Sequence, residues 1–113
     1  VGLCLRISQT VEKLKESAVP VIEKYDIEVT EYIANGITDE VNKRKLLDMS
    51  AYINEHLMQS LFALDGIMCD PEFATARQKR REGVRFAQGL LDRLDKIKAD
   101  LKAFHIGQSY TVV

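Results

Sequence analysis

Apolar residues recur at steps of three and four along three stretches of this chain, and two punctuation marks, Asn35-Gly36 and Asp70-Pro71, separate those stretches. Residues three and four apart share one face of an α-helix, so each stretch has one side built for burial. The first carries Ile7, Val11, Leu14, Ala18, Val21, Ile22, Tyr25, Val29, Tyr32 and Ile33 on one face. Asn35 and Gly36 both tolerate the left-handed backbone conformation that ends a helix. Pro20 stands in the middle of the segment on its polar side, where a proline removes a backbone bond and costs about 3 kcal/mol. A kink, or two collinear helices split near Val19, is expected there.

The second stretch opens with Thr38-Asp39-Glu40, which reads as a capping hydroxyl followed by acids where the helix dipole favours them. Its core face is Leu46, Met49, Ile53, Leu57, Ser60, Leu61, Leu64, Ile67 and Met68. Asp70-Pro71 ends it and suits the start of the next helix, with aspartate as cap and proline as first helical residue. The third stretch uses Val84, Ala87, Leu90, Leu91, Leu94, Ile97 and Leu101, with Gly83 at the centre of the apolar line. A glycine there costs about 1 kcal/mol relative to alanine, which points to close approach of a neighbouring helix. No strand alternation or internal repeat competes with this pattern. The expected fold is all-α: an antiparallel three-helix bundle with long helices, the first kinked near Pro20. Residues 1–103 form the domain, and residues 104–113 (FHIGQSYTVV from Phe104) a flexible tail without helical period.

The chain has 113 residues, 46% of them hydrophobic and 29% charged, which is ordinary for one folded domain. Its net charge is −1, unevenly spread: residues 1–70 hold 7 basic and 12 acidic side chains, and residues 71–113 hold 9 and 5. Cys4 and Cys69 have no metal-ligand spacing, His56 and His105 have no partners spaced as in a triad, and the glycines form no phosphate loop. Neither catalysis nor a metal or cofactor is expected. VGLCL is too short for a signal peptide's apolar core, and no run reaches membrane-spanning length. The cytosol, or also the nucleus, is the expected compartment.

Two surface stripes are out of phase with the core. On the second helix Glu55, Met58, Phe62 and Asp65 fall at positions i, i+3, i+7 and i+10, two large apolar residues flanked by carboxylates. On the third, Arg77, Arg81, Arg85 and Gln88 follow one another at i+4 and i+3 steps, with Arg80 on the flank towards the core. Guanidinium groups suit carboxylate or phosphate pairing alike. Nucleic acid is the less apt partner: no aromatic residue interleaves with the arginines, Phe86 points the other way, and Glu55 and Asp65 repel phosphates. The rival readings are a nucleic-acid-binding bundle on the arginine stripe and a dimerisation module on Met58 and Phe62. Short connectors also permit a homodimer by exchange of a helix.

The run from Tyr52 to Leu94, YINEHLMQSLFALDGIMCDPEFATARQKRREGVRFAQGLLDRL, resembles the last two helices of the BAG domain, the chaperone-binding module of the Bcl-2-associated athanogene cochaperones. The family pattern has a glutamate, an aspartate ten residues on, a connector, a basic cluster ending in Lys/Arg-Gly, and a glutamine. Glu55, Asp65, Arg80 and Gln88 fall at those positions without a gap. Glu82 is inserted between Arg81 and Gly83, and Pro20 departs from the family's first helix, whose opening TVEKL (Thr10–Leu14) resembles.

The resemblance implies a cochaperone that binds the ATPase domain of heat shock protein 70 chaperones and promotes nucleotide exchange by stabilising an open cleft. Arg80 and Gln88 would contact one ATPase lobe, with Arg77 and Arg81 supporting. Glu55 and Asp65 would meet basic residues of the chaperone. Met58 and Phe62 supply the apolar part by their phase, not by the resemblance.

Overall fold

The computed structural model describes residues 2–36, 39–67 and 74–104. Three helices follow one another: α1 (Gly2–Asn35), α2 (Glu40–Asp65) and α3 (Ala74–Ala103). At 1.5 Å per residue they are roughly 50, 40 and 45 Å long. Side-chain pairs fix their directions. Ser17 meets His56, Tyr25 meets the Leu46 carbonyl and Tyr32 meets Asp39, so α2 runs back along α1. Gly83 lies beside Val11, Arg93 beside Asp26 and Phe104 beside Tyr32, so α3 runs parallel to α1. The result is an up-down-up bundle with extents of 65 × 22 × 17 Å.

Each end that the structure describes has a local cause. Gly36 takes φ +68° and its N–H returns to the Ile33 carbonyl at 3.1 Å, closing α1 as the Asn35-Gly36 pair predicts. At the start of α2 the cap is Asp39, not the Thr38 hydroxyl expected from the sequence. Its Oδ1 accepts from the Val41 and Asn42 N–H groups at 3.1 and 3.3 Å. A carboxylate satisfies two orphan donors and places a full charge at the positive helix end. α2 ends at Asp65 with Gly66 as its cap, short of the Asp70-Pro71 stop expected from the sequence, because the glycine brings no side chain to continue the helix. The expected Asp70-Pro71 start of α3 and Met68 lie outside the described residues, as do Thr38 and the tail from His105 onward.

Pro20 does not split α1, which is one helix through Val19 and beyond. Its ring is exposed to solvent, so the carbonyl it cannot pair with faces water, not the core. Val21, expected on the core face, is 44% exposed. It stands about 100° around the helix from the fully buried Ile22, on the flank that looks across to Tyr52.

The core falls into two groups. The larger includes Leu14, Ala18, Ile22, Tyr25, Val29, Leu46, Ile53, Leu57, Ala87, Leu90, Leu94, Ile97 and Leu101. The smaller gathers Ile7, Leu64, Ile67 and Ala76 at the end where α2 turns towards α3. Ser50, which apolar patterning passes over, is buried at 1% exposure. It continues the Leu46–Ile53–Leu57 line, and its hydroxyl donates to the Leu47 carbonyl of its own helix at 2.7 Å. The helix satisfies the donor, and across the core the same hydroxyl lies against the Tyr25 phenol. Gly83 answers the expectation of close approach: a Cβ there would stand 2.7 Å from Val11 Cγ2 and 3.4 Å from Leu64 Cδ1.

Candidate functional site: the face shared by α2 and α3

The contacts to α1 show which sides of α2 and α3 are left for a shared face. On α2, His56 Nε2 lies 3.3 Å from Ser17 Oγ, and Gln59, Ser60 and Ala63 line a groove with Thr10, Lys13 and Leu14. Glu55, Met58, Phe62 and Asp65 occupy the flank of α2 turned away from that groove. On α3, Lys15 Nζ sits 5.5 Å from the Phe86 ring centroid and Arg93 pairs with Asp26 at 3.2 Å. Arg77, Arg81, Arg85 and Gln88 therefore stand on the flank of α3 away from α1 as well. The two stripes border a common surface over the α2–α3 seam.

Their exposure differs in an informative way. Glu55, Asp65, Arg77, Arg81, Arg85 and Gln88 are exposed, and Met58 is half-buried. Phe62 is 62% exposed, the largest apolar side chain left to solvent on this surface. With Gly83 beside Leu64, the antiparallel register sets Phe62 about level with Arg85, and Met58 with Gln88 and Gly89. The surface thus has, on α2, two apolar side chains flanked along the helix by carboxylates and, on α3, a row of guanidinium groups.

Few internal bonds occupy these groups. Glu55 accepts from Gln59 Nε2 at 3.3 Å on its own helix. Among the described residues, Asp65, Arg81, Arg85 and Gln88 form no hydrogen bond or ion pair. Four exposed, uncommitted polar or charged groups on one face are what a polar rim around an apolar centre requires.

Arg80 stands apart. The sequence places it on the flank of the stripe, and the structure carries that inward: it is half-buried, and Nη1 donates to the Ile67 carbonyl at 2.8 Å. Backbone carbonyls are invisible to side-chain patterning, so this contact had no signal in the sequence beyond Arg80's phase. Of the eight residues singled out from sequence, the other seven flank the common surface.

The far end of the seam is also tied. Lys43 Nζ donates to the Phe104 carbonyl at 2.8 Å, and the Phe104 ring meets Tyr32 edge-on with centroids 5.7 Å apart. Among the described residues no group of His, Cys, Asp and Glu is arranged to hold a metal ion, and no helix is long and apolar enough to cross a membrane.

The family model of the BAG domain matches residues 6–97, from the first turns of α1 to the last turns of α3. No curated protein and no solved structure is matched. The matched span takes in both stripes and the α2–α3 connection. This chain belongs to the BAG domain family, whose members are nucleotide-exchange cochaperones of heat shock protein 70 and not a family of catalysts.

Proposed function

We propose that this chain binds the ATPase domain of heat shock protein 70 chaperones through the α2–α3 face and accelerates release of bound nucleotide. One observation carries the reading: Asp65 and Phe62 of α2 and Arg81 and Gln88 of α3 share an exposed, internally unpaired surface in a chain of the BAG domain family. Asp65 and Glu55 call for basic groups on the partner, and Arg81 and Arg85 call for carboxylates. Phe62 and Met58 supply apolar area between them. Mixed charge of this kind selects a folded protein surface, since a phosphate backbone would be repelled by the carboxylates.

The mechanism is mechanical. Nucleotide bound in a cleft between two lobes is held by contacts to both. A surface that fits the lobes only when they are rotated apart binds the open form more tightly, and the equilibrium moves by the ratio of the two affinities. Stiffness makes such discrimination effective. The helices of 26 and 30 residues forming the face are pinned at one end by Arg80 on Ile67 and at the other by Lys43 on Phe104. A pinned pair does not bend to follow a closed cleft. No bond in the nucleotide is made or broken by this chain.

The test is release of a fluorescent ADP analogue from the ATPase domain. The native chain should accelerate it, and the variant Asp65→Ala/Arg81→Ala, confirmed helical by circular dichroism, should not. Failure of the native chain to accelerate release, beside a working exchange factor, would overturn the reading.

A further inference from the structure

We propose that the α2–α3 face also binds a second copy of this chain, in a two-fold dimer that pairs Asp65 of each copy with Arg81 of the other. The inference goes beyond the proposed function, since the occupant here is the chain itself.

A two-fold interface joins the same patch on both copies, so the patch must be complementary to itself. This face meets that condition for one orientation of the axis. With Gly83 beside Leu64, Asp65 lies about level with Arg81, and Phe62 about level with Arg85. An axis running along the seam between two facing copies carries each α2 over its partner's α3 and leaves every height along the helices unchanged. Asp65 then meets Arg81 of the partner subunit, and Arg81 meets the partner subunit's Asp65, so the ion pair is made twice. Phe62 falls against the partner's Arg85, and a guanidinium over a ring face is attractive. An axis crossing the seam at right angles would lay α3 on α3 and bring the two arginine rows together.

The groups are free to pair in this way. Asp65, Arg81 and Arg85 are exposed and, among the described residues, form no hydrogen bond or ion pair. Phe62 is 62% exposed, and covering it takes a large apolar side chain out of water.

Two features keep the dimer weak. Asp92 is exposed, follows Arg85 by seven residues on the same stripe and stands about level with Glu55, so the same axis brings these carboxylates together. The area is also small. From Arg77 to Asp92 the face is about 23 Å long and two helices about 20 Å wide, roughly 460 Å² on each copy, against about 800 Å² on each side of a stable complex. Dimer should therefore appear between roughly 10 μM and 1 mM.

Charge exchange tests the pairing. Sedimentation velocity of the native chain should show a monomer–dimer equilibrium that weakens as salt rises. Asp65→Arg and Arg81→Asp should each associate at least about tenfold more weakly, because each sets like charges together at both contacts. An equimolar mixture of the two variants should dimerise again, since every contact in the mixed pair joins an arginine to an aspartate. Asp92→Lys in the native background should tighten the dimer about threefold or more, by giving Glu55 a cation. Circular dichroism checks the fold, and Asp65→Lys and Arg81→Glu carry the same reversals should either variant not fold. A native chain that stays monomeric up to about 1 mM would overturn the proposal. So would a mixture that does not regain the dimer. Single variants that dimerise as the native chain does would overturn it too, and point to exchange of a helix between copies.

A competition arm rests on the proposed function. The ATPase domain, added to the native dimer, should break it into one-to-one complexes, because both occupants use Asp65 and Phe62. An ATPase domain bound to an intact dimer would overturn the assignment of the second copy to this face. If the native chain binds no ATPase domain, the proposed function falls, while the mixing experiment still decides the dimer.

Discussion

Gly83 on α3 and Val11 on α1 approach so closely that a methyl group on Gly83 would stand 2.7 Å from Val11 Cγ2. No pair of carbons tolerates that distance, and Val11 is β-branched and stiff at χ1, so it yields poorly. Helix propensity favours Gly83→Ala by about 1 kcal/mol, while overpacking costs about 1–3 kcal/mol. The overlap wins. Gly83→Ala is expected to lower stability by about 1 kcal/mol in urea unfolding. Adding Val11→Ala should make the Gly83→Ala change favourable, a coupling that a double-mutant cycle reads directly.

Tyr25 is fully buried, and its hydroxyl donates to the Leu46 carbonyl at 2.8 Å. Tyr25→Phe is expected to cost about 1 kcal/mol at neutral pH. Burial raises the phenol above its ordinary value of 10.0, with a smaller opposing contribution from Ser50. Above pH 10 the unfolded chain therefore loses this proton first, and ionisation favours unfolding. The stability of the native chain relative to Tyr25→Phe should be constant up to about pH 9 and shrink as pH rises past the ordinary tyrosine value. A difference that grows with pH would contradict the burial argument.

Phe62 separates binding from folding. At 62% exposure it contributes little to the isolated domain, so Phe62→Ala should change unfolding free energy by less than about 0.5 kcal/mol. As the apolar centre of the proposed docking face, the same change should weaken binding to the ATPase domain by tenfold or more, on the order of 1.4 kcal/mol. Calorimetric titration beside thermal unfolding measures both. Equal affinity for the two proteins would remove Phe62 from the interface.

Asp39 caps α2 through two backbone N–H groups and also holds the Asn42 side chain at 2.7 Å. Asp39→Ala is expected to cost about 1 kcal/mol, and Asp39→Asn less, because an amide oxygen still caps but carries no charge for the helix dipole. Thermal unfolding at two salt concentrations distinguishes the parts. Only the charge contribution should fade as salt rises.

Much of this protein was legible in its order of residues. A period near 3.6 marks the buried face of each helix, and a glycine in that line at position 83 announces a close crossing. The surface stripes were legible for the same reason, since phase alone says which side chains cannot reach the core. Exceptions came where phase meets chemistry that patterning ignores. Ser50 is buried because its own helix satisfies its hydroxyl. Val21 stays exposed because a stripe three residues wide overruns the width of the seam.

What sequence by itself determined, then, is the set of helices, the stop of α1 at Asn35-Gly36 and the faces each helix must bury, because these follow from periodicity and local backbone preference. It did not determine that Asp39 caps α2, that Pro20 is carried within an unbroken helix, or that Arg80 reaches the Ile67 carbonyl. Only the packed structure decided those. Arg80 needs the Ile67 carbonyl within reach, and Pro20 is carried where packing leaves its face to solvent, so both depend on how the helices come to rest against one another.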